Sequence, residues 1–353
     1  MNANKSARKK RKYKDKALYY LKKLSLFVIS VFVLSIIVFW LSRLTPGDPL
    51  MAYYGERASQ MGEAERAHAL TRLGLDQPTL TQYIYWLKNA FEGDFGISFK
   101  YKQPVLSVIA GRLLNTVLLG GIGFVLMFIF ALLLGVFCIW YEDRLADKIL
   151  CKVGTIISCI PEFWLSLVLI LIFSVILHIA PSSGAYSIGH SGDVADRIRH
   201  LILPLIAVIL SHLWYYTYMI RNKLAEEVRE DYVLLAKAKG LTRREIMFKH
   251  CIRGILPAYF SIMAISIPHV VGGTYIVEML FSYPGIGTLS YEAAQLHDYN
   301  MLMVLCIITG VVVIFFNILS QIINERIDPR IKAQEKTEEM YESLGENGGV
   351  ING

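Results

Sequence analysis

Few side chains in this sequence are typed and spaced for chemistry. Glu162, directly after Pro161, and Glu278 are carboxylates set in apolar runs, where a charge is costly unless paired or hydrated. With Pro268 and His269 they are candidates to line a polar path through an apolar layer, the alternative for each being a structural partner or a place at an interface. A relay of Glu162, Glu278 and His269 would suit a channel or proton-coupled carrier. Catalysis would need more. No two acidic residues in apolar runs have an obvious facing relation, and there is no His-Glu-x-x-His. There is also no Gly-x-x-x-x-Gly-Lys-Ser/Thr phosphate loop, so the chain is not expected to supply a nucleotide site by that means. Cys138, Cys151, Cys159, Cys251 and Cys306 lie in or beside apolar runs or in loops, and their spacing indicates no disulfide framework, zinc site or other metal site.

The elements that must hold these groups follow from composition. At 54% hydrophobic and 18% charged, with a mean hydropathy of +0.45, the chain is too apolar for a water-soluble domain and excludes disorder or a collagen-like repeat. A hydrocarbon layer about 30 Å thick requires about 20 apolar residues per helix. Six runs meet or approach this, at 24–44, 115–140, 153–180, 198–220, 258–281 and 301–323. The expected fold is all-α and polytopic. Residues 1–23 hold eight Lys and two Arg against one Asp, which by the positive-inside rule sets the amino terminus in the cytoplasm. Six crossings return the carboxyl terminus there. The first run ends without a small-x-small cleavage site and reads as a retained helix. The basic Lys9-Lys10-Arg11-Lys12 abuts it, and attraction to anionic lipid accounts for that charge without a nucleic-acid partner.

The organisation that follows is a basic cytoplasmic tail (1–23), a first helix (24–44), an external segment (45–112), a five-helix core (113–323) and a cytoplasmic tail (324–353). In the external segment, Gln82, Tyr83, Trp86 and Leu87 share one face of a short helix over Leu80 to Phe91, which suits the membrane interface or an external protein equally. The cytoplasmic segment 221–257 predicts helix, tight turn, helix. Asp231 can cap a helix from Tyr232 to Lys239, Gly240 can supply a left-handed stop, and Thr242 with Glu245 forms a capping box. The second helix should run to about Arg253, with Gly254 and Pro257 marking a break. Ala236 and Ala238 beside Leu234 and Leu235 make a partly apolar knob suited to a groove on a cytoplasmic partner, or to a lipid surface.

Together these stretches resemble the permease subunits of binding-protein-dependent ABC importers, in the peptide/nickel group, and within it the B-type dipeptide, oligopeptide and nickel permeases. Leu234-Leu235-Ala236 with Gly240, then Ile255-Leu256-Pro257, looks like that superfamily's EAA loop. The other shared stretches are Thr45-Pro46-Gly47-Asp48-Pro49, Leu73 to Pro78, Gly93-Asp94-Phe95-Gly96 with Ser98, Glu278 to Gly287, and Asp328-Pro329-Arg330. The resemblance covers nearly the whole chain. It implies a type I ABC importer permease fold in the bacterial cytoplasmic (inner) membrane. It also implies a second homologous permease enclosing the path, two cytoplasmic ATP-binding subunits that carry ATP and Mg, and an external solute-binding protein. Under it, Tyr232, Leu235, Ala236, Ala238, Gly240 and Leu241 would couple the chain to the ATPase, and Glu162, Pro268, His269 and Glu278 would belong to the path. The implied cargo is di- and oligopeptides, with nickel or a metallophore as the alternative, and no cofactor is implied in this chain.

Overall fold

The structure, a computed structural model, describes residues 2–44, 49–72 and 74–327. Most of Thr45 to Pro49, Leu73, Asp328-Pro329-Arg330 and the closing tail lie outside the described residues. Among the described residues the chain is helical, with one isolated antiparallel bridge pairing Ile97 with Pro104. In chain order the helices are α1 (Asn2–Leu44), α2 (Pro49–Tyr54), α3 (Arg57–Gln60), α4 (Glu63–Arg72), α5 (Thr79–Phe91), α6 (Val105–Trp140) and α7 (Leu145–Ser158). They continue as α8 (Glu162–Leu169), α9 (Val194–Glu227), α10 (Asp231–Ala238), α11 (Arg243–Glu245), α12 (Ile252–Leu280), α13 (Ile286–Gln295) and α14 (Tyr299–Ile327). Among the described residues, five stretches are long and apolar enough to cross a membrane, and a sixth if the bent pair of α7 and α8, the latter continued to Ile176, forms one span.

Three local expectations are corrected. The run at 153–180 is not one helix: α7 stops at Ser158 and the chain turns by 100° before Glu162. Pro161 offers no N–H and disfavours helical geometry in the residue before it, so the first helix must end there. Conversely, Gly254 and Pro257 do not break the chain. α11, a π-helical turn at Ile246–Cys251 and α12 follow one another without a gap, and Pro257 lies inside α12. Proline is tolerated in a membrane helix where neighbours re-satisfy the freed backbone. Gly254 serves close approach instead, because a Cβ there would lie 1.9 Å from Glu227 Oε1. Finally, Glu230, not Asp231, takes the extended N-cap position of α10, and Asp231 sits in the first turn, where its charge suits the helix dipole.

Two compact units divide the chain. Unit one comprises Met1–Ile122, Ser166–Leu205 and Val271–Phe315. One of its clusters packs Val105 and Ile109 of α6 against Leu289, Ala293, Met301, Val304 and Leu305. Another seats Tyr83 and Trp86 of α5 on Phe39 of α1 and Met303 of α14, with the Tyr83 hydroxyl 2.9 Å from Ser35 Oγ. The aromatic face of α5 is thus packed on protein, while Leu80, Ile84, Tyr85 and Phe91 remain exposed. The Gly93-Asp94-Phe95-Gly96 stretch with Ser98 is stitched to the start of α14. Ser98 donates to Asp298 Oδ2 (2.5 Å), Asn300 Nδ2 donates to the Ile97 carbonyl (3.1 Å), and Asp298 caps α14 by accepting from Met301 N (3.2 Å).

Unit two comprises Gly123–Leu165, Ile206–Val270 and Phe316–Gly353. Its centre groups Phe128, Tyr216 and Tyr259, the Tyr259 hydroxyl donating to the Phe128 carbonyl at 3.1 Å. Arg221 of α9 grips Asp147 of α7 at 2.9 Å, a pair largely removed from water.

Candidate functional site

Glu278 sits in unit one, two residues before the end of α12, with no exposed surface. The helix closes through a backbone device in which Tyr283 N donates to the Glu278 carbonyl (2.8 Å) and Ser282 N to that of Met279 (3.2 Å), Ser282 adopting φ +45. The chain then enters α13 close to the Glu278 carboxylate. Gly287 N and Thr116 Oγ1 each donate to it at 2.6 Å, and Thr116 in turn accepts from Ile286 N at 2.8 Å. Asn115 donates to the Pro284 carbonyl and accepts from Arg197, both at 2.8 Å. A Cβ on Gly285 would stand 2.2 Å from the Glu278 carboxyl carbon, so only glycine lets the corner close on it. In this conformation Glu278 holds the 281–288 corner and presents no surface to a solute.

The other expected path residues fall in unit two. Glu162 begins α8 and accepts from Ser211 Oγ (3.2 Å), which lies 2.8 Å from His212 Nδ1. Pro268 is half-buried within α12, and His269 is exposed. Ser211 and His212 are polar groups on α9 that hydropathy alone did not single out.

Unit two also holds the segment expected to couple to a partner. α10 ends as the sequence predicts: Gly240 has φ +79, Gly240 N donates to the Lys237 carbonyl (3.0 Å) and Leu241 N to that of Ala236 (3.2 Å). The Thr242–Glu245 capping box is formed on both sides. Val233 and Ala236 turn inward, whereas Leu234 and Leu235 are 58% and 56% exposed, and Tyr232 and Ala238 are also open. The knob is therefore made by the leucines, with Ala236 beneath them.

The base of this helix-turn-helix is firmly tied. Arg243 donates to the last carbonyls of α6, at Trp140 (2.7 Å) and Ile139 (3.2 Å), supplying donors and positive charge where a helix C-terminus lacks both. Arg229 pairs with Glu142 at 2.7 Å. The Tyr232 hydroxyl donates to Glu227 Oε1 at 2.5 Å, and burial together with that carboxylate raises its pKa above the usual phenol value. The arrangement is a braced platform with an apolar outer face.

Two further features escaped sequence reasoning. In unit one, a cleft of 580 Å³ is lined by Arg43, Gln82, Trp86, Asn89, Asp94 and Asn300, among others. In unit two, Cys138, Asp147 and Cys151 place one ligand atom each within 4.8 Å of the others. The sequence spacing gave no sign of this grouping. The 141–144 turn folds Cys138 back on α7, where Asp147 and Cys151 share a face at i, i+4. Only that i, i+4 pair was visible beforehand.

Against known families, residues 127–333 match the model described as "Binding-protein-dependent transport system inner membrane component", and residues 18–120 match its amino-terminal companion. The chain belongs to this family. It is the non-catalytic permease component of an ABC-type importer, a multi-pass inner-membrane protein. Relatives of this transport family include the oligopeptide transport system permease protein AppB of Bacillus subtilis, 31% identical over 308 residues, covering 87% of this chain and 96% of the relative. Another is the metal-staphylopine import system permease protein CntB of Staphylococcus aureus, 30% identical over 306 residues, covering 86% and 95%. The permease fold itself matches a chain of the MetNI methionine ABC transporter in an inward-facing conformation, with a TM-score of 0.52 at 15% identity over 63% of this chain and 97% of that one.

Proposed function

We propose that the chain pairs with a second, homologous permease to enclose a path for di- and oligopeptides. Two cytoplasmic ATP-binding subunits act on it from inside, and a solute-binding protein delivers cargo from outside. The observation that carries the reading is the outer face of α10: Leu234 and Leu235 are exposed on a helix whose base is fixed by Arg243, Arg229 and Tyr232. An apolar knob on a braced mount suits transmission of force, since a partner that grips it moves the helices below. Binding of ATP would close the ATPase dimer, carry α10 with it and turn the path outward, and hydrolysis would reset it. The basic segment 1–23 and the basic 221–257 support a cytoplasmic position for this face by the positive-inside rule. Segment 45–112 then lies outside, and the cleft beside α5 becomes a surface open to the solute-binding protein.

The peptide assignment rests on the oligopeptide permease of Bacillus subtilis. A second reading, import of a metal–metallophore complex, is favoured by the similar identity to the metal-staphylopine permease. Gentle affinity purification from the native membrane, with mass spectrometry of what is retained, tests both. Recovery of a second permease, ATPase subunits and a binding protein loaded with peptide is expected. A binding protein loaded with a metal chelate would select the second reading, and a chain recovered alone that moves solute without ATP would overturn both.

A further inference from the structure

We propose that Cys138, Asp147 and Cys151 form a binding site for a thiophilic divalent ion of the zinc class, with Arg221 as its charge-balancing outer partner. Cys138 lies in the last turn of α6, and Asp147 and Cys151 lie one turn apart on α7. Cys138 is fully buried, Asp147 is 3% exposed and Cys151 is half-buried, so of the three Cys151 is the one most open to water.

Three observations point to an ion rather than to packing alone. The first is spacing. In a tetrahedral site with metal–sulfur bonds of about 2.3 Å and metal–oxygen bonds of about 2.0 Å, a sulfur and an oxygen ligand stand about 3.5 Å apart. Cys151 Sγ lies 3.3 Å from Asp147 Oδ1, and all three ligand atoms fall within 4.8 Å of one another.

The second is charge. Two thiolates and a carboxylate carry three negative charges, and a divalent ion with the Arg221 guanidinium carries three positive ones. Each thiol releases its proton as the ion binds.

The third is orientation. Arg221 donates to Asp147 Oδ1 through Nε (3.3 Å) and to Oδ2 through Nη2 (2.9 Å), and Asp143 N approaches Oδ2 at 3.4 Å. This fixes the carboxylate as outer-shell donors fix ligands in metal sites, and the second lone pair of Oδ1, now accepting from the Cys151 thiol, is the one that would meet the ion. A fourth ligand would be water, entering from the Cys151 side. The bound ion would tie the end of α6 to α7 across the 141–144 turn and stiffen that hairpin of unit two.

Cadmium is the probe, added to the full-length chain in lipid nanodiscs with whatever subunits copurify. One ion per chain should survive desalting and give a sulfur-to-cadmium charge-transfer absorption. Cys138→Ser and Cys151→Ser should each remove the band, while the triple variant Cys159→Ser/Cys251→Ser/Cys306→Ser keeps it. Arg221→Gln should weaken binding about tenfold. No retained ion in the wild type, or a band that persists in Cys138→Ser/Cys151→Ser, would overturn the site. Should a variant fail to insert, the wild type still decides: cadmium should slow alkylation of Cys151 relative to exposed Cys159, and equal rates with and without cadmium would refute the assignment.

Discussion

Two corners of this molecule are closed by the same backbone device and used in opposite ways. α12 ends at a left-handed Ser282 and α10 at a left-handed Gly240, and in each the two residues at the turn donate back to the helix's last carbonyls. On either side of Ser282, Phe281 and Tyr283 are almost wholly buried, and the Glu278 carboxylate is enclosed by Thr116 and Gly287. A non-glycine residue persists at positive φ there because the surroundings over-determine it. After Gly240 the chain is open, and the helix before it carries two leucines into solvent. The first corner satisfies its own groups and needs nothing else. The second is well built beneath and leaves two leucines exposed above, which suits the docking role proposed for it.

Substitutions at the two corners should separate accordingly. The largest effect belongs to Gly287→Val, since a Cβ there would lie 2.8 Å from the backbone of Tyr275 and 2.7 Å from Glu278 Oε2. A loss of about 3 kcal/mol or more is expected, read as lost monodisperse protein in detergent. Equal yields of Gly287→Val and wild type would break the comparison. Next is Glu278→Ala, which leaves the Thr116 hydroxyl and Gly287 N–H without an acceptor, at about 1–3 kcal/mol for each orphaned donor. Thermal unfolding should show a clear drop for Glu278→Ala and a smaller one for Glu278→Gln, which keeps an acceptor oxygen.

At the open corner, Gly240→Ala should cost about 1–2 kcal/mol through its left-handed backbone, with Gly240→Asn milder, and should reduce ATP-driven uptake more than it reduces stability. The smallest effect concerns the Glu292–Lys100 pair at 2.6 Å, on the rim of unit one. Burial opposes ionisation of Glu292, but hydrogen bonds from Lys100 and Tyr101 outweigh it and hold its pKa below the ordinary carboxylate range. Burial likewise opposes the charge on Lys100, and Glu292 reverses this, raising its pKa. The pair's contribution is therefore full at neutral pH, lost as pH falls through the lowered Glu292 pKa, and lost again as pH rises through the raised Lys100 pKa. Both groups are about one-third exposed, so salt screening limits it to about 0.2–1 kcal/mol. Melting of Glu292→Gln against wild type across pH checks this, and a difference that grew in acid would contradict the sign.

The fold's outline was legible because membrane spans announce themselves by length: α1, α6, α9 and α14 each contain an expected run and extend beyond it. Hydropathy has no sensitivity to direction, so it passed over the Pro161 bend. Proline rules learned from water over-read Pro257 as a break. At the segment proposed to couple to the ATPase, Gly240 and the Thr242–Glu245 box were readable because turn and cap chemistry is local. What each long-range partner does was not. Thr116 meets Glu278 across 162 residues, and Arg243 reaches Trp140 across 103. Both depend on tertiary packing that no spacing rule encodes, as does the approach of Cys138 to Cys151.

The most direct test of the central claim compares wild type with Leu234→Glu/Leu235→Glu, assembled with the copurifying subunits in proteoliposomes. Both side chains are exposed, so the unfolding midpoint should stay within about 0.5 kcal/mol of wild type in stability. ATPase subunits should no longer copurify, and ATP-driven uptake should be lost. Normal retention and normal uptake by the double variant would contradict the assignment of α10 as the surface through which ATP drives this permease.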